Sequence, residues 1–325
     1  MIRSAPVIAT LVVALTGCAT SPPLADGLPV SAPRAIELDA TPYFPQDDYQ
    51  CGPAALATLL RASGIAIEPQ ALTPQVYLPG RRGSLQAELV GAARRHGRLP
   101  YQLAATADEL IAELYEGRPV LVLQNLGATR LPRWHYAVLI GYDADKNVAI
   151  LRSGKKQRLE MRWQRFASSW HRGGRWAITT LDPGAIPMHA DAARFIEAAA
   201  GLEVAGQHGA AAVAYDAALV RWPGQSLAWL GRGNVAYAMG DPGAAADAYA
   251  RAILLAPDDA AARNNLAQVL AEAHCIAPAR AQAERAVALA AGTALADAIE
   301  ETRAAIQSMP PTATACTLGD RAWPD

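Results

Sequence analysis

The alternation of apolar and polar positions predicts helices in the first part of the chain and strands after them. Apolar residues recur at helical spacing in 51–63, 84–96 and 106–116, and the last of these segments starts with a capping-box pattern. Short apolar runs predict strands at 119–124, 134–142, 147–152, 157–161 and 175–181. The turn-forming residues 143–146 join the second and third strands into a hairpin. This order predicts an α+β domain over residues 38–187.

The pattern changes after residue 187 to alanine-rich helix that repeats itself. Residues 34 positions apart are identical at several places, as in the pairs Gly206 and Gly240, Tyr215 and Tyr249, and Pro223 and Pro257. This period resembles the tetratricopeptide repeat, a helix-turn-helix unit. The resemblance implies an all-α repeat domain of about three units over residues 188–308, followed by a tail at 309–325.

The third repeat departs from this pattern, since His274 stands at the glycine position and Ala283 at an aromatic position. We interpret it as a terminal, degenerate unit. An unrelated alanine-rich bundle is the alternative. Stacked tetratricopeptide units form a concave surface, so the resemblance implies that this domain binds a peptide or a protein partner.

Composition limits the class of protein. The chain has 325 residues, of which 52% are hydrophobic and 18% are charged, which suits two compact domains and is too apolar for general disorder. The formal net charge is −1, so the chain lacks the basic field that nucleic-acid binding requires. We therefore expect no nucleic-acid partner.

The N-terminus has the features of a secretion signal. Arg3 precedes an apolar stretch at 7–15, which is too short to span a membrane. The sequence Leu-Thr-Gly-Cys18 follows and resembles the lipobox of bacterial lipoproteins. The resemblance implies a signal peptide at 1–17, lipidation of Cys18 and a Pro/Ala-rich tether at 18–37. An ordinary signal peptide or a chance cysteine is the alternative.

The residue after this cysteine bears on where the lipid anchor is inserted. Ala19 is not the aspartate that retains lipoproteins in the inner membrane. In a bacterium with two membranes, we therefore expect the protein to be lipid-anchored to the outer membrane and to face the periplasm.

Two further cysteines, Cys275 and Cys316, lie in the C-terminal region. In an oxidising periplasm they can pair as a disulfide. Two free thiols are an equal alternative, because the sequence does not show how close they lie. No spacing among the histidines suggests a metal site, and we expect no cofactor.

Cys51 is the candidate nucleophile. It lies where a loop becomes an apolar helix, five residues after Gln46 and directly before Gly52 and Pro53. The first turn of a helix leaves N–H groups unpaired and carries partial positive charge, which stabilises a thiolate and lowers the pKa of the thiol. The alternative is a buried core cysteine, a common setting for this residue.

A thiol nucleophile needs a base, and His135 is the candidate among the histidines. It begins a strongly apolar strand, whereas His96 ends a predicted helix and His171 lies in a polar loop segment. The remaining histidines fall in the linker or in the repeats.

Together these residues resemble a known enzyme family. Gln46 and the motif Cys51-Gly-Pro-Ala-Ala, followed by His135-Tyr-Ala-Val-Leu-Ile-Gly-Tyr-Asp, are similar to the bacteriocin-leader (double-glycine) cysteine peptidases and their papain-like relatives. The resemblance covers about residues 38–181. It implies that Cys51 is the nucleophile, that His135 is the general base and then the acid, and that Gln46 donates to the oxyanion.

One feature departs from this family, which usually places an aspartate on the strand after the histidine strand to orient the imidazole. The predicted hairpin register puts Ser153 or Gly154 opposite His135, and neither is acidic. Ser153 is one candidate for the orienting group. Gln124 and Asn125, which end the preceding strand, are the others.

We therefore expect an α+β papain-like cysteine peptidase domain followed by tetratricopeptide repeats, anchored to a membrane. We expect it to act as a cysteine peptidase, or as a related thiol acyl-transfer enzyme, on a peptide or protein substrate. Because the orienting group is not acidic, a catalytically weak or inactive peptide-binding adaptor is an alternative. A cell-wall peptidase of the papain-like class is a further alternative.

Overall fold

The computed structural model describes residues 24–28, 32–46, 50–310, 315–319 and 321–324. The expected signal peptide and the lipidation site Cys18 lie outside these residues and stay predictions. Within the described ranges, no helix combines the length and the apolar character needed to cross a membrane.

The described residues form an N-terminal α+β domain followed by a run of helices, which confirms the predicted fold class. The helices are α1 (Leu24–Gly27), α2 (Cys51–Ala62), α3 (Pro69–Val76), α4 (Gln86–Arg95), α5 (Ala107–Tyr115), α6 (Trp163–Arg172), α7 (Ala192–Val204), α8 (His208–Arg221), α9 (Ser226–Ala238), α10 (Pro242–Leu255), α11 (Ala260–Glu272), α12 (Ile276–Ala290) and α13 (Ala296–Ser308). The strands are β1 (Ala35–Glu37), β2 (Leu99–Gln102), β3 (Val120–Asn125), β4 (Trp134–Asp143), β5 (Val148–Ser153), β6 (Lys156–Arg162) and β7 (Ala177–Leu181).

In the part of the chain that is described, the strands form one antiparallel sheet in the order β2-β7-β3-β4-β5-β6, and β1 pairs with β4 beside this path. One face packs against α2, α3 and α4 through apolar side chains such as Leu60 and Leu72. The other face packs against α5 and α6, with Leu110 and Phe166 in its core. Helices on both faces explain why β3 and β5 are buried throughout.

The β4–β5 hairpin departs from the predicted register. A bulge next to Gly141 shifts one strand against the other, and the ladder ends where Val138 faces Arg152. Ser153 is therefore two residues out of line with His135 and is its diagonal neighbour, not its direct partner. A bulge adds one unpaired residue, which residue counting from the turn does not reveal.

Part of the segment predicted as a tether at 18–37 is folded against the α+β domain. β1 pairs with the far end of β4, and Leu24 in α1 is buried and donates its backbone N–H to the Asn147 side chain. These residues of the predicted tether therefore pack on the α+β domain in the structure. A strand of three residues is too short to give a pattern in the sequence.

Helices α7 to α13 carry the repeats. The helices pack closely where glycine faces tyrosine, since a Cβ at Gly231 would overlap the Tyr215 ring. Gly206 and Gly240 turn the chain between paired helices with φ of +73° and +79°. His274 keeps this left-handed conformation with φ of +62° in the third unit, although it is not glycine. The degenerate repeat therefore preserves the turn.

The first repeat shares its hydrophobic core with the α+β domain. Phe195 of α7 is fully buried, and its ring centroid lies 6.4 Å from that of Tyr101 on β2. The Asp191 N–H donates to the Tyr101 hydroxyl, and Arg194 forms an ion pair with Glu109 at 2.9 Å. The repeats are thus packed onto the α+β domain at this interface.

The C-terminal residues 315–319 and 321–324 pack against the end of the repeats. Cys316 forms a disulfide with Cys275, and the Cα atoms of the two cysteines lie 4.5 Å apart. Arg321 forms an ion pair with Asp247, and Trp323 packs on the core of the last repeat. A cavity of 840 Å³ lies between α12 and this segment.

Candidate active site

Several chain segments meet at one end of the sheet. β3 ends there at Asn125, β4 begins at Trp134, β5 ends at Ser153 and β6 begins at Lys156. The N-terminus of α2 lies beside this end, because the Cys51 sulfur is close enough to β4 to interact with a backbone amide there. The predicted site residues from distant parts of the sequence are therefore brought to one edge.

Cys51 is the first residue of α2, and it is the free cysteine among the described residues. Gln50 makes no side-chain cap and Pro53 has no N–H, so the helix leaves the amides of Cys51 and Gly52 without an intrahelical partner. Ser84 closes one side of this turn, since a Cβ on Gly52 would overlap its hydroxyl. Gly52 is required here by close packing.

Burial raises the pKa of the Cys51 thiol, which corrects the expectation that its position at a helix start would lower it. Hydrogen bonding from the backbone amides of Tyr136, Gly52 and Cys51 itself opposes this effect and is weaker. The Tyr136 amide belongs to the peptide group that follows His135. The thiol is therefore protonated at neutral pH, and its sulfur lies beside the backbone that carries the candidate base.

His135 is held by Ser153, whose Oγ lies 2.8 Å from the imidazole Nε2. Burial, and to a smaller extent the positive charge of Arg133, lowers the pKa of His135 to about 4. The imidazole is therefore neutral at pH 7. Its Nδ1 is the nitrogen that Ser153 does not engage. Among the described residues, no hydrogen bond joins either ring nitrogen to the Cys51 thiol.

Gln46 is buried and is fixed by the turn that follows β5. The Gly154 N–H donates to Gln46 Oε1 at 2.9 Å, and the Gln46 N–H donates to the Gly154 carbonyl at 3.1 Å. Because the side-chain oxygen is engaged, the Nε2 amide group is the end of Gln46 that can donate to another group. Gly154 has φ of +58°, a left-handed conformation that favours glycine.

The other two candidates for orienting His135 point to different partners. Gln124 donates through Nε2 to Ser169 Oγ at 2.7 Å. The Asn125 side-chain oxygen accepts from the backbone N–H groups of Gly127 and Arg133, both at 2.9 Å. Gln124 pairs with His135 through the β3–β4 ladder, but neither side chain forms a hydrogen bond with the His135 imidazole, so the structure does not give these side chains the proposed orienting role. Asn125 instead closes the β3–β4 loop that carries Arg133.

The chemistry of this arrangement is that of a thiol beside a neutral imidazole, with amide donors on the other side. Among the described residues, no group of three or more histidine, cysteine or acidic side chains is placed to hold a metal ion. Comparison with protein families agrees with this geometry, since residues 38–178 match the Peptidase C39 like family. The chain carries a peptidase C39-like domain. Residues 197–260 and 230–274 match the tetratricopeptide repeat, which confirms the repeats.

The chain is also similar to several solved structures, each of which covers less than half of it. A C39-like peptidase from Bacillus anthracis is 18% identical with a TM-score of 0.39, over 45% of this chain and 97% of that one. The peptidase domain of Streptococcus ComA, a bifunctional ABC transporter of a quorum-sensing pathway, is 23% identical with a TM-score of 0.34, over 43% and 98%. The Yersinia enterocolitica type III secretion translocator chaperone SycD is 20% identical with a TM-score of 0.34, over 35% and 82%. Among curated proteins, none matches the chain.

Sequence reasoning missed three residues that affect the site of the C39-like domain. Gly154 fixes Gln46, the Tyr136 amide interacts with the thiol, and Arg133 lowers the pKa of His135. The signal for Gly154 was its place in a Ser-Gly-Lys-Lys turn after a strand. The signal for Arg133 was its position two residues before the candidate base.

Proposed function

We propose that the C39-like domain is a cysteine peptidase that cleaves a peptide or protein substrate. Cys51 is the nucleophile, His135 is the general base and then the acid, and Gln46 donates to the oxyanion. The observation that carries this proposal is the shared support of two of these groups. The turn at 153–154 holds His135 through one residue and Gln46 through the next, at the edge where the Cys51 thiol lies.

The neutral state of both reacting groups determines the first step. As the Cys51 sulfur bonds to the substrate carbonyl carbon, the thiol proton passes to Nδ1 of His135. The carbonyl oxygen becomes negatively charged, and the Gln46 Nε2 group and the Cys51 N–H are the donors available to it. Collapse of this intermediate breaks the C–N bond, and His135 returns the proton to the leaving amine.

The second half of the reaction regenerates the thiol. A water molecule gives a proton to His135 as it attacks the thioester carbonyl carbon. The C–S bond then breaks, the proton passes to the Cys51 sulfur, and the carboxylic acid product leaves. No redox step and no additional reactant besides water is needed.

The test is cleavage of internally quenched peptides and of purified peptidoglycan fragments by the full chain. We expect cleavage of a peptide bond that is lost in Cys51→Ala and His135→Gln and reduced about 100-fold or more in Gln46→Ala, since one oxyanion donor contributes about 10²–10³ in kcat. Arg165→Gln, an exposed change on α6, is the matched control and retains activity. Cleavage that persists without Cys51, or no cleavage of any of these substrates, would sink the proposal. Cleavage confined to the peptidoglycan fragments would identify a cell-wall peptidase.

A second candidate function is a peptide-binding adaptor without catalysis. The raised pKa of the Cys51 thiol, the neutral Ser153 partner and the lack of a hydrogen bond between Cys51 and His135 favour it. Binding of peptides by the full chain that is unchanged in Cys51→Ala, with no cleavage by the parent, would identify this function.

We also propose that the repeats bind the substrate or a protein partner and that a lipid on Cys18 anchors the protein to the outer membrane, on its periplasmic face. The shared core of α7 and the C39-like domain supports the first part, because a bound partner would be held in a fixed position relative to Cys51. The Leu-Thr-Gly-Cys18 motif supports the second part. The anchor is tested by growing cells with an alkyne-labelled fatty acid and by fractionating their membranes. We expect the parent chain to be labelled and to be found in the outer-membrane fraction, and Cys18→Ala to be unlabelled. Equal labelling of the parent chain and of Cys18→Ala would contradict the proposed anchor.

A further inference from the structure

Basic residues collect in three loops at the active-site end of the sheet. We name this set the basic rim; its members are Arg81, Arg82, Arg130, Arg133, Lys155 and Lys156, and all of them are exposed. The formal net charge of the whole chain is −1, so the rim is a local feature and not a consequence of a basic protein. A local field of one sign at a cleft attracts ligands of the opposite sign.

Each of the three loops adjoins a residue next to the candidate catalytic groups, through packing or through chain continuity. The loop that carries the first pair of arginines ends at Ser84, which packs against Gly52 and whose carbonyl accepts from the Tyr136 hydroxyl. The β3–β4 loop leads directly into His135, and the β5–β6 turn directly follows Ser153. The rim residues therefore lie on three loops that adjoin the candidate catalytic site.

The basic residues of the β3–β4 loop and of the β5–β6 turn are not neutralised by ion pairs to described residues. None of Arg130, Arg133, Lys155 and Lys156 forms one, in contrast with arginines elsewhere in the described chain, such as Arg194 with Glu109.

Acidic residues are absent from these loops in the sequence, which has none at 77–85, 126–134 or 153–157. The acidic residues nearest to these loops in sequence are Glu88 in the first turn of α4 and Glu160 on β6, while Asp47 and Asp48 precede Cys51 and lie outside the described residues. Even with these four included, the six basic residues outnumber the acidic ones.

Apolar side chains accompany the charges in the β3–β4 loop. Leu131 is 79% exposed and Trp134, directly before His135, is 54% exposed. An exposed tryptophan between an arginine and a candidate base is suited to contact a bound chain rather than the protein core.

We propose that the substrate of this site is an acidic peptide, whose carboxylates contact the basic rim on both sides of the bond to be cleaved. This inference rests on the peptidase function proposed above, and it names the chemistry that the site selects. Arginine pairs with carboxylates through two parallel hydrogen bonds, which gives orientation as well as attraction.

A carboxylate at Arg133 would also change the base. In the free protein the charge of Arg133 disfavours the protonated form of His135. A substrate carboxylate beside Arg133 offsets that charge, so the imidazole accepts the thiol proton more readily in the complex than in the free protein. An acidic substrate thus supplies part of the negative charge that the neutral Ser153 does not.

Binding tests the proposal independently of catalysis. The full chain with Cys51→Ala is titrated with two fluorescein-labelled dodecapeptides that differ only in three glutamates replaced by glutamines, and anisotropy is measured. We expect the glutamate peptide to bind about tenfold more tightly at low salt and the difference to shrink in 0.5 M salt, because screening acts on exposed charges. Arg130→Gln with Arg133→Gln should remove most of the difference. Arg162→Gln with Arg165→Gln, which removes the same number of positive charges from exposed positions at the far end of β6 and on α6, should preserve it.

Equal binding of the two peptides, or a preference that survives in the rim variant, would overturn the proposal. Loss of the preference in the variant with Arg162→Gln and Arg165→Gln as well would also overturn it, because the effect would then come from net charge alone. The parent chain with Cys51 intact is assayed for cleavage of the same peptides. Preferential binding of the glutamate peptide without Cys51-dependent cleavage would support the acidic ligand and refute the peptidase function, so the two failures are distinguishable.

Discussion

Replacing Ser153 with aspartate would test whether the electrostatics of His135 limit the site. In the structure, the neutral hydroxyl lies 2.8 Å from Nε2, and the side chain is buried at 8% exposure. A carboxylate at this position accepts hydrogen bonds only, so it would fix the proton on Nε2 and leave Nδ1 as the base. A serine hydroxyl both donates and accepts, and it selects neither tautomer.

The expected size of the effect follows from the charge. An opposite charge within hydrogen-bonding distance raises the pKa of a histidine by about 1 to 3, so the pKa of His135 would rise from about 4 towards neutrality. Each step of one pKa unit is worth about 1.4 kcal/mol and increases the thiolate–imidazolium pair about tenfold. Nucleophilicity falls as the thiol becomes more acidic, with a slope of about 0.5, so the net gain in reactivity is about threefold for each step. For a rise of about 1 to 3 in the pKa of His135, we therefore expect Cys51 to react about 3- to 30-fold faster.

The assay is the second-order rate constant for alkylation of Cys51 by iodoacetamide between pH 4 and pH 9, read by mass spectrometry of the labelled peptide. The Ser153→Asp rate at pH 7 should exceed the parent rate by this factor, and the histidine resonance in an NMR titration should show the raised pKa of His135. Ser153→Asn is the matched control, because it adds similar volume without charge. Equal rates for the aspartate and asparagine variants would refute the electrostatic reasoning, and so would an unchanged pKa of His135.

Other predictions concern stability. The pKa of His135 is about 4 in the folded protein and about 6.5 in the unfolded chain, so the unfolded chain binds more protons between these pH values. Urea titrations should therefore show that His135 lowers the free energy of unfolding by about 3 kcal/mol as the pH falls from 7 to 4. His135→Gln should lack this loss, and an equal loss in both proteins would contradict it. Gly231→Ala should cost about 1–3 kcal/mol because its Cβ overlaps the Tyr215 ring, whereas Gly209→Ala, with open space around it, should gain about 0.4–1 kcal/mol in thermal melts. Ending the chain at residue 187 removes Phe195 and its neighbours from the shared core, so the fragment should bind the dye ANS and aggregate; a soluble fragment with a cooperative melt would show that the domain folds alone.

Strong local patterns gave the elements that carry the candidate site. Helical spacing predicted α2 from Cys51, and a continuous apolar run predicted β4 with His135 near its start, as the structure has them. Gly206 and Gly240 marked the repeats, because turns with positive φ select glycine. These features depend on neighbours in sequence, which a single chain displays.

The missed elements have identifiable causes. Helix α6 carries Trp163, Phe166 and Trp170 at helical spacing, so its signal was present, but its polar remainder suggested a loop. Strand β2 contains Pro100, which argues against a central strand and is tolerated because β2 lies at the edge of the sheet. β1 is held by contacts with residues distant in sequence, namely its pairing with β4 and the ion pair of Glu37 with Arg158.

The arrangement of the site depended on contacts that the sequence does not show. Gln46 and Gly154 are 108 residues apart, yet two hydrogen bonds join them. The pKa of Cys51 depends on how deeply α2 is buried, and this outweighed the helix-start effect that the sequence suggested. Residue type and local sequence therefore identified Gln46, Cys51 and His135 as candidates. The protonation states of Cys51 and His135 depend on the packing around them.

Three features keep His135 neutral in the free protein: its burial, the charge of Arg133, and a partner in Ser153 that carries no charge. Slow alkylation of Cys51 in the free protein would therefore not by itself identify an adaptor, because the same three features predict a slow thiol in an enzyme that has no substrate bound. The enzyme and the adaptor are distinguished by measuring alkylation and cleavage with an acidic peptide present, because its carboxylate offsets the charge of Arg133. If such a peptide binds the basic rim and the parent chain cleaves it, the substrate supplies negative charge that Ser153 does not. If it binds and Cys51 stays inert, the site recognises acidic peptides without catalysis.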